Sequence, residues 1–424
     1  MLDDGPSRDA TFLYELARDF ETAEILGYLR RGNSPHIRRR AAEVLGDLAD
    51  VPDYEKEEEV IDGLIQTVQD ETEDDGVRAR AADSLYRYGE DSFERLIGAM
   101  GDFDAQSAPD WVTARTLVDW LSAEYPEFRM VAAAALGRIG DDNTLEPLID
   151  ALTDPDPRVR VQAARSCGLR SDSRCVEPLA ARLDDSESIV REEAAVALGT
   201  IGTRRALKEL IPSARAKDET LRRIAIEELG QIGTLEPLVV LVRALVDDSP
   251  RIQRAAILSL IQLFVDAPPE KSDSIRAEVS KQLAKTDTEA VAPPLIDIME
   301  ESQREVVRRN AAWLLGEVSD TRADCLGEIY DCLLDALDDP DELTAQCVAA
   351  SLAELDSSEL ERRLHIIVQD EQASEDVVDR AKFVLEQIGS DLSKELIQNA
   401  VDYTYVRDPA DYTKQKRNEE SDTL

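Results

Sequence analysis

Histidine is almost absent from this sequence, and cysteine is scarce. The 424 residues include two histidines, His36 and His365, and five cysteines, none of them in a C-x-x-C pair or a zinc-type spacing. The phosphate-binding loop G-x-x-x-x-G-K-[ST] and the nucleophile motif G-x-S-x-G are missing as well. Histidine is the usual general base and the commonest metal ligand. We therefore predict that the protein is not an enzyme, has no catalytic residue, and uses no metal, cofactor or small-molecule substrate.

Long apolar runs are also missing. No uninterrupted apolar stretch approaches the ~18 residues that suggest a membrane-spanning helix. The opening residues, MLDDGPSRDATF, lack the basic and apolar regions of a signal peptide. We therefore expect a cytoplasmic protein without a membrane partner. The length exceeds the ~250–300 residues at which single cores stop growing, so the chain must contain several domains or stacked repeats.

Basic residues are few relative to acidic ones. The sequence has 90 Asp and Glu against 49 Lys and Arg, a formal net charge of -41, and only ten of the basic residues are lysine. Self-repulsion of this size destabilises a compact chain in dilute buffer. A carboxylate-rich, lysine-poor composition resembles that of salt-in halophiles, in particular haloarchaea. A basic partner would explain the acid less well, because the acidic residues are spread along the whole chain.

Ten related segments recur along the chain. The clearest are FRMVAAAALGRIG at 128–140, VREEAAVALGTIG at 190–202 and LRRIAIEELGQIG at 221–233. Within each segment, apolar residues fall at the first position and at +4, +8 and +11, which is one stripe of an α-helix. Each stripe follows a second amphipathic segment such as TLEPLIDAL at 144–152. The other seven segments begin at residues 37, 77, 159, 252, 307, 344 and 377.

The repeating unit is therefore a helix, a turn and a second helix. Four successive intervals between residues 128 and 252 are 31 residues each. One helix pair cannot bury its apolar face alone, so neighbouring pairs must stack. We predict an all-α fold, a right-handed α-solenoid of about ten helix pairs.

The pattern resembles HEAT repeats, in particular the phycobilisome-lyase-like subfamily, over roughly residues 21–390. The resemblance implies that an arginine at position +1 of the segment, directly after the first stripe residue, is structural and bonds acidic residues of the adjacent inter-helix turn. It also implies that the second helix of each pair lines the concave surface. The arginines at this position are Arg38, Arg78, Arg129, Arg160, Arg191, Arg222 and Arg308.

The spacing of the repeats also predicts the domain organisation. Residues 1–20 are expected to form an N-terminal capping helix and residues 21–390 the solenoid. Two intervals exceed 31 residues by about one helix, so we expect insertions near 101–122 and 265–290. Residues 391–424 are expected to form a C-terminal helix and a mobile polar tail.

One basic cluster departs from the acidic background. The stretch LRRGNSPHIRRR contains the repeat arginine Arg38 and four further arginines. Those four could dock an acidic or phosphorylated protein, or could simply be solvated. Nucleic acid is the less probable partner, because a small cluster in a strongly negative field binds phosphate weakly. The four are Arg30, Arg31, Arg39 and Arg40.

Large apolar residues occupy a nominally exposed position of the second helix in three repeats. The position lies at +6 of the stripe, and the residues are Leu258, Trp313 and Phe383. Exposed side chains of this kind suggest a surface for binding another protein, where Trp is enriched. The alternative is that the insertions rotate these repeats and bury the residues.

These features together favour a non-catalytic adaptor that binds other proteins. Similar haloarchaeal HEAT proteins occur among taxis components and link the chemotaxis response system to the archaellum, so the resemblance implies chemotaxis or motility partners. An accessory or maturation factor for an enzyme is the first alternative. A nucleic-acid-associated HEAT protein is the second. A known HEAT-repeat enzyme, deoxyhypusine hydroxylase, holds two irons with His-Glu pairs, and neither histidine here is followed by Glu.

The net charge predicts that stability depends on salt. Molar KCl shortens the Debye length to about 3 Å and screens the repulsion among carboxylates. The melting temperature, followed by circular dichroism, should therefore rise steeply from dilute buffer to molar KCl. A melting temperature that stays constant over this range would contradict the halophile interpretation.

Overall fold

A computed structural model describes residues 10–51, 56–101, 110–139, 142–231, 234–266, 269–318, 324–355 and 357–388. Within these ranges every regular element is helical and no strand occurs, so the predicted all-α class is confirmed. The chain divides into two compact units, residues 1–209 and 210–424. The C-terminal helix and tail predicted for 391–424 lie outside the described residues.

The first unit alternates longer helices with shorter ones that are extended by 3-10 turns. α1 lies within residues 1–20, the segment expected to form a capping helix, and α13 ends at the boundary of the unit. The helices are α1 Thr11–Arg18, α2 Thr22–Arg31, α3 Pro35–Asp47, α4 Glu57–Gln69, α5 Asp75–Arg87, α6 Glu90–Gly101, α7 Asp110–Trp120, α8 Pro126–Ile139, α9 Leu145–Ala151, α10 Pro157–Arg170, α11 Val176–Ala180, α12 Ser188–Ile201 and α13 Arg204–Leu210. The 3-10 turns are Leu48–Asp50, Asp142–Thr144, Ser173–Cys175 and Ala181–Asp184.

The second unit continues the same alternation. It begins with the 3-10 turn Ile211–Arg215, and a further 3-10 turn, Ala336–Asp338, follows α20. The helices are α14 Glu219–Gly230, α15 Leu238–Ala244, α16 Pro250–Asp266, α17 Pro269–Leu283, α18 Thr288–Glu301, α19 Glu305–Val318, α20 Leu326–Asp335, α21 Glu342–Ala353, α22 Ser358–Gln369 and α23 Glu375–Gln387.

Proline and a capping side chain begin several of the second helices. Ser34 caps α3 by accepting a hydrogen bond from the Ile37 amide (3.4 Å), and Asp156 caps α10 through the Arg158 amide (2.8 Å). Proline follows each cap at a position where the helix does not need its N–H. Gly202 ends α12 in the left-handed conformation with φ of 61°. Local sequence signals therefore set both ends of these helices.

Within each unit, the second helices of neighbouring pairs pack against each other. In the first unit α3 contacts α5, α5 contacts α8, α8 contacts α10, and α10 contacts α12. In the second unit α14 contacts α16, α16 contacts α19, α19 contacts α21, and α21 contacts α23. The apolar stripe points into these contacts, and in α12 all four stripe residues are buried: Val190, Ala194, Leu198 and Ile201.

An extra helix occupies each long interval between repeats. Two helices, α6 and α7, lie between α5 and α8, where one would complete the regular repeat. Likewise α17 and α18 lie between α16 and α19. α17 contacts α15, α16 and α19, so it covers part of the stack in the second unit.

A glycine at +9 of the stripe lets neighbouring second helices approach closely. A Cβ on Gly137 would lie 2.6 Å from the Cβ of Ser166 on the next helix, and a Cβ on Gly230 would lie 2.4 Å from that of Ser259. Each serine donates its hydroxyl hydrogen bond to a carbonyl of the facing helix: Ser166 to Ala133 (2.8 Å), Ser259 to Ile226 (3.0 Å) and, at the same position, Ser84 to Ala42 (2.8 Å). The helix spacing thus depends on a small residue at one position.

We predict that Gly137→Ala destabilises the protein by roughly 1–3 kcal/mol, because the added methyl must push α8 and α10 apart. Urea unfolding in molar KCl measures the change. Gly98→Ala in α6 is the matched control, because a Cβ there meets nothing within 4 Å. That control should stabilise the protein by about 0.5–1 kcal/mol. Equal effects of the two substitutions would show that the glycine contact is unimportant.

Candidate protein-binding surfaces

The repeat arginine, at position +1 of each segment, joins two inter-helix turns. In α10, Arg160 donates from Nε and Nη2 to the carboxylate of Asp185, at 3.0 and 2.7 Å. Its Nη1 donates to the carbonyls of Asp154 (2.9 Å) and Pro155 (3.3 Å) in the turn before α10. Arg160 therefore fixes its own turn to the turn of the next repeat.

These contacts continue from repeat to repeat as an arginine–aspartate ladder, formed by Arg129, Asp154, Arg160, Asp185 and Arg191. Asp154 accepts from Arg129 with its carboxylate (2.7 Å) and from Arg160 with its carbonyl. Asp185 does the same for Arg160 and Arg191, whose Nη1 lies 2.9 Å from the carbonyl. Equivalent pairs elsewhere are Arg38 with Glu73, Arg222 with Asp247, and Arg308 with Asp339. This is the bonding pattern that the HEAT resemblance implies.

Two repeat arginines depart from this pattern. Arg78 donates from Nε to the Val68 carbonyl (3.0 Å), and its guanidinium lies 5.3 Å from the centre of the Trp120 ring at the end of the inserted α7. Arg191 is the second. Five other repeat arginines bond an acidic residue that lies 25 or more positions further along the chain, whereas the residue 25 positions after Arg191 is Ala216. The pattern of the ladder is therefore altered next to the α7 insertion and at Arg191.

Burial and hydrogen bonding act in opposite directions on the ladder carboxylates. The side chain of Asp185 is only 4% exposed. Burial acts to raise its pKa, but the hydrogen bonds from Arg160 and from the Glu187 amide lower the pKa below its usual value. Asp185 is thus ionised in the folded protein, and its charge is compensated mainly by Arg160, with a longer ion pair to Arg182 (3.5 Å).

The N-terminal arginine surface, formed by Arg30, Arg31, Arg39 and Arg40, lies at the end of α2 and the start of α3. Arg30 reaches Gln66 (3.5 Å), and Arg40 pairs with Glu43 (2.8 Å). The side chains of Arg31 and Arg39 are exposed and form no hydrogen bond or ion pair with the part of the chain that the structure describes. Two of the four predicted cations are therefore available to a partner.

Two exposed tyrosines extend this surface, and the sequence analysis missed both. Tyr28 is 37% exposed and precedes Arg31 by three residues on α2, so the two share a helix face. Tyr14 is 43% exposed, and its hydroxyl accepts from Arg40 (3.0 Å). The sequence offered one signal for Tyr28, which is an aromatic residue one helical turn before the basic cluster. Tyrosine and arginine are enriched among the few residues that contribute most of the binding free energy in protein–protein interfaces.

Leu258 and Phe383 are both exposed at the +6 position, by 40% and 37%. Leu258 borders a cavity of about 450 Å³ in the second unit, lined by Glu227, Gln231, Ala255, Leu258, Ser259, Gln262 and Asp266. Burial and repulsion from Glu227 raise the pKa of the adjacent Glu228 to about 7. The end of α14 therefore gains negative charge as the pH rises through neutrality. This surface, apolar with a carboxylate rim, suits a basic or apolar side chain.

Trp313 is buried, so its expected place on an exposed binding surface is wrong. Its side chain is only 7% exposed, and its ring packs edge-to-face on Phe264 with centroids 5.2 Å apart. The guanidinium of Arg276, on the inserted α17, lies 4.7 Å from the Trp313 ring centre. The insertion covers this repeat, which was the alternative left open by the sequence.

Neither a metal centre nor a membrane segment can be assigned in the described ranges. Among these residues there is no group of three or more His, Cys, Asp or Glu side chains placed to hold a metal ion. No helix in the same ranges is long and apolar enough to cross a membrane. The surfaces described above are thus the candidate sites.

Comparisons with known proteins agree with the repeat architecture. The sequence model of the family described as HEAT repeats matches residues 114–199, 145–220, 176–261 and 292–386. A HEAT repeat-containing taxis protein of Halobacterium salinarum is 36% identical over 393 residues, covering 92% of this chain and 94% of that protein. The crystal structure of an engineered protein superposes with a TM-score of 0.51 at 18% identity, over 87% of this chain and 99% of that one. The predicted α-solenoid class is confirmed.

We predict that Arg160→Ala destabilises the protein by about 3–5 kcal/mol, because it removes the two short hydrogen bonds to the buried carboxylate of Asp185 and leaves, among the described residues, only the longer ion pair with Arg182 (3.5 Å). Arg205→Ala is the control, since Arg205 forms an exposed pair with Glu177 (3.0 Å) in the same unit. An exposed pair contributes ~0–1 kcal/mol. Urea unfolding of both variants in molar KCl would measure the difference, and similar losses would refute the structural role of the ladder.

Proposed function

Because the chain belongs to the HEAT-repeat family, we propose that it is a non-catalytic scaffold that holds other proteins in a taxis signalling assembly. The near-full-length similarity to the Halobacterium HEAT repeat-containing taxis protein carries this proposal. The identity of 36% extends over 92% of this chain and 94% of that protein. The similarity is therefore not confined to a few shared repeats.

The composition supports placing this scaffold in the cytoplasm of a halophilic cell. A net charge of -41 is tolerated where molar salt screens repulsion between carboxylates. The arginine at position +1 recurs in seven repeats, which supports the phycobilisome-lyase-like kind of HEAT repeat. The cellular environment and the subfamily are thus parts of the proposal that go beyond membership of the HEAT-repeat family.

Two surfaces fit the binding of partner proteins. The N-terminal arginine surface offers the uncommitted cations of Arg31 and Arg39 beside the exposed Tyr28. Leu258 and Phe383 offer apolar contacts in the second unit. Charged contacts mainly set association rates, whereas buried apolar contacts mainly set dissociation rates. The two surfaces would therefore contribute differently to one assembly.

Deleting the gene in its native host, with complementation, tests the taxis role. We expect cells that swim but fail to change direction in response to stimuli, because a missing scaffold separates the signalling proteins from the motor. Complementation with Arg31→Ser/Arg39→Ser should restore the response only in part. Arg115→Ser/Arg304→Ser is the matched control: it removes two exposed cations that have no partner among the described residues, and it should complement fully.

Affinity purification in molar KCl identifies the partners in the same strains. Recovery of signalling or motility proteins, reduced by Arg31→Ser/Arg39→Ser at an unchanged melting temperature, would support the proposal. A normal taxis response with recovery of a single enzyme would overturn it in favour of a maturation factor. Nuclease-sensitive recovery would favour a nucleic-acid-associated protein.

A further inference from the structure

A second basic surface lies in the second unit, far along the sequence from the N-terminal arginines. The 3-10 turn Ile211–Arg215 and the end of α15 border a cavity of about 530 Å³. Three exposed cations line it: Arg215 at the end of the turn, Lys217 two residues after it, and Arg243 in α15. We call this the α15 basic cavity.

The cations of the α15 basic cavity are not neutralised by neighbouring carboxylates. Arg215, Lys217 and Arg243 are exposed, and their side chains form no hydrogen bond or ion pair within the described ranges. The cavity is also lined by Arg222 and Asp247, which pair with each other at 3.2 Å, and by Asp248. Three uncommitted cations thus face one uncommitted carboxylate, in a chain whose net charge is -41. A local positive potential is the consequence.

Exposed apolar side chains accompany these charges. Val246 lines the cavity and is 41% exposed. Val239 is 59% exposed and lies four residues before Arg243 on α15, so the two project from one helix face. A ligand that covers this face would bury valine surface while it meets the cations.

We propose that the α15 basic cavity docks an acidic segment of a partner protein. The segment would present carboxylates to Arg215, Lys217 and Arg243 and an apolar side chain to Val246. This inference goes beyond the taxis role and does not depend on it.

An acidic protein segment fits this cavity better than nucleic acid does. Phosphate binding by three cations depends on counterion release and weakens steeply with salt. Apolar contact with Val239 and Val246 persists in molar salt, where the Debye length is only about 3 Å. A protein segment can carry carboxylates and aliphatic side chains together. A nucleic acid would present phosphates to the cations and bases for stacking, but no aromatic side chain among the described residues lines the cavity to receive a base.

Fluorescence anisotropy with a labelled synthetic peptide tests the proposal. The probe is a peptide of about twelve residues made of Asp, Glu and Leu. The titration extends to millimolar concentrations, so that a dissociation constant of about 1 mM, which corresponds to a binding free energy of about -4 kcal/mol, can be measured. We expect saturable binding in both dilute and molar KCl. Arg215→Ser/Lys217→Ser/Arg243→Ser should weaken it about tenfold or more in dilute salt, and Val246→Ser should weaken it severalfold in molar salt.

Matched controls separate this site from general charge effects. Arg115→Ser/Arg304→Ser/Lys56→Ser removes the same charge at exposed positions elsewhere and should leave peptide affinity unchanged. A peptide with Asn and Gln in place of Asp and Glu should bind at least tenfold more weakly. All variants should keep the wild-type melting temperature, because the replaced side chains are exposed.

Three outcomes would overturn the proposal: no saturation by the acidic peptide, equal affinity of the cavity variant and the wild type, or tighter binding of a single-stranded oligonucleotide than of the peptide. Since the readout is peptide affinity, such a failure leaves the taxis role standing. Conversely, failure to find a taxis defect leaves this site standing.

Discussion

The ion pair between a repeat arginine and the aspartate of the next turn is the interaction on which the stack depends. Arg160 contacts the carbonyls of its own turn and the carboxylate of Asp185, so one side chain fixes the distance between two successive turns. The side chains of Arg160 and Asp185 are 10% and 4% exposed, respectively. Buried charges of this kind cost several kcal/mol unless they are paired. A shifted register between these two repeats is therefore strongly disfavoured.

The ladder also changes how the charges of this protein should be interpreted. Arginines such as Arg129, Arg160 and Arg308 are committed to carboxylates inside the stack and are not available to partners. The chain has many arginines, but only a few remain exposed and uncommitted in the described residues. Those few, including Arg31 and Arg243, stand out against an acidic surface. Local pairing, rather than the number of basic residues, thus determines where the molecule is positive.

The sequence predicted periodic features well because one physical rule repeats in every unit. The apolar stripe predicted which residues of α12 are buried, from Val190 to Ile201. It could not decide whether Trp313 is exposed, because that depends on α17, which the repeat pattern does not contain. The α15 basic cavity was equally hidden, since Lys217 and Arg243 lie 26 residues apart on separate elements. Tyr28 was visible in the sequence, but its exposure depends on how α2 packs.

The molar salt that we propose as the working environment of this protein would explain why both basic surfaces carry exposed apolar groups. Screening over about 3 Å removes long-range attraction, so a cation contributes only when it touches its partner. Such contacts alone are weak, because exposed ion pairs contribute ~0–1 kcal/mol. Apolar burial contributes about 25 cal/mol per Å² and does not rely on long-range fields. A protein that binds its partners in molar salt would therefore gain affinity from a tyrosine or valine next to a free cation, as Tyr28 accompanies Arg31 and Val239 accompanies Arg243.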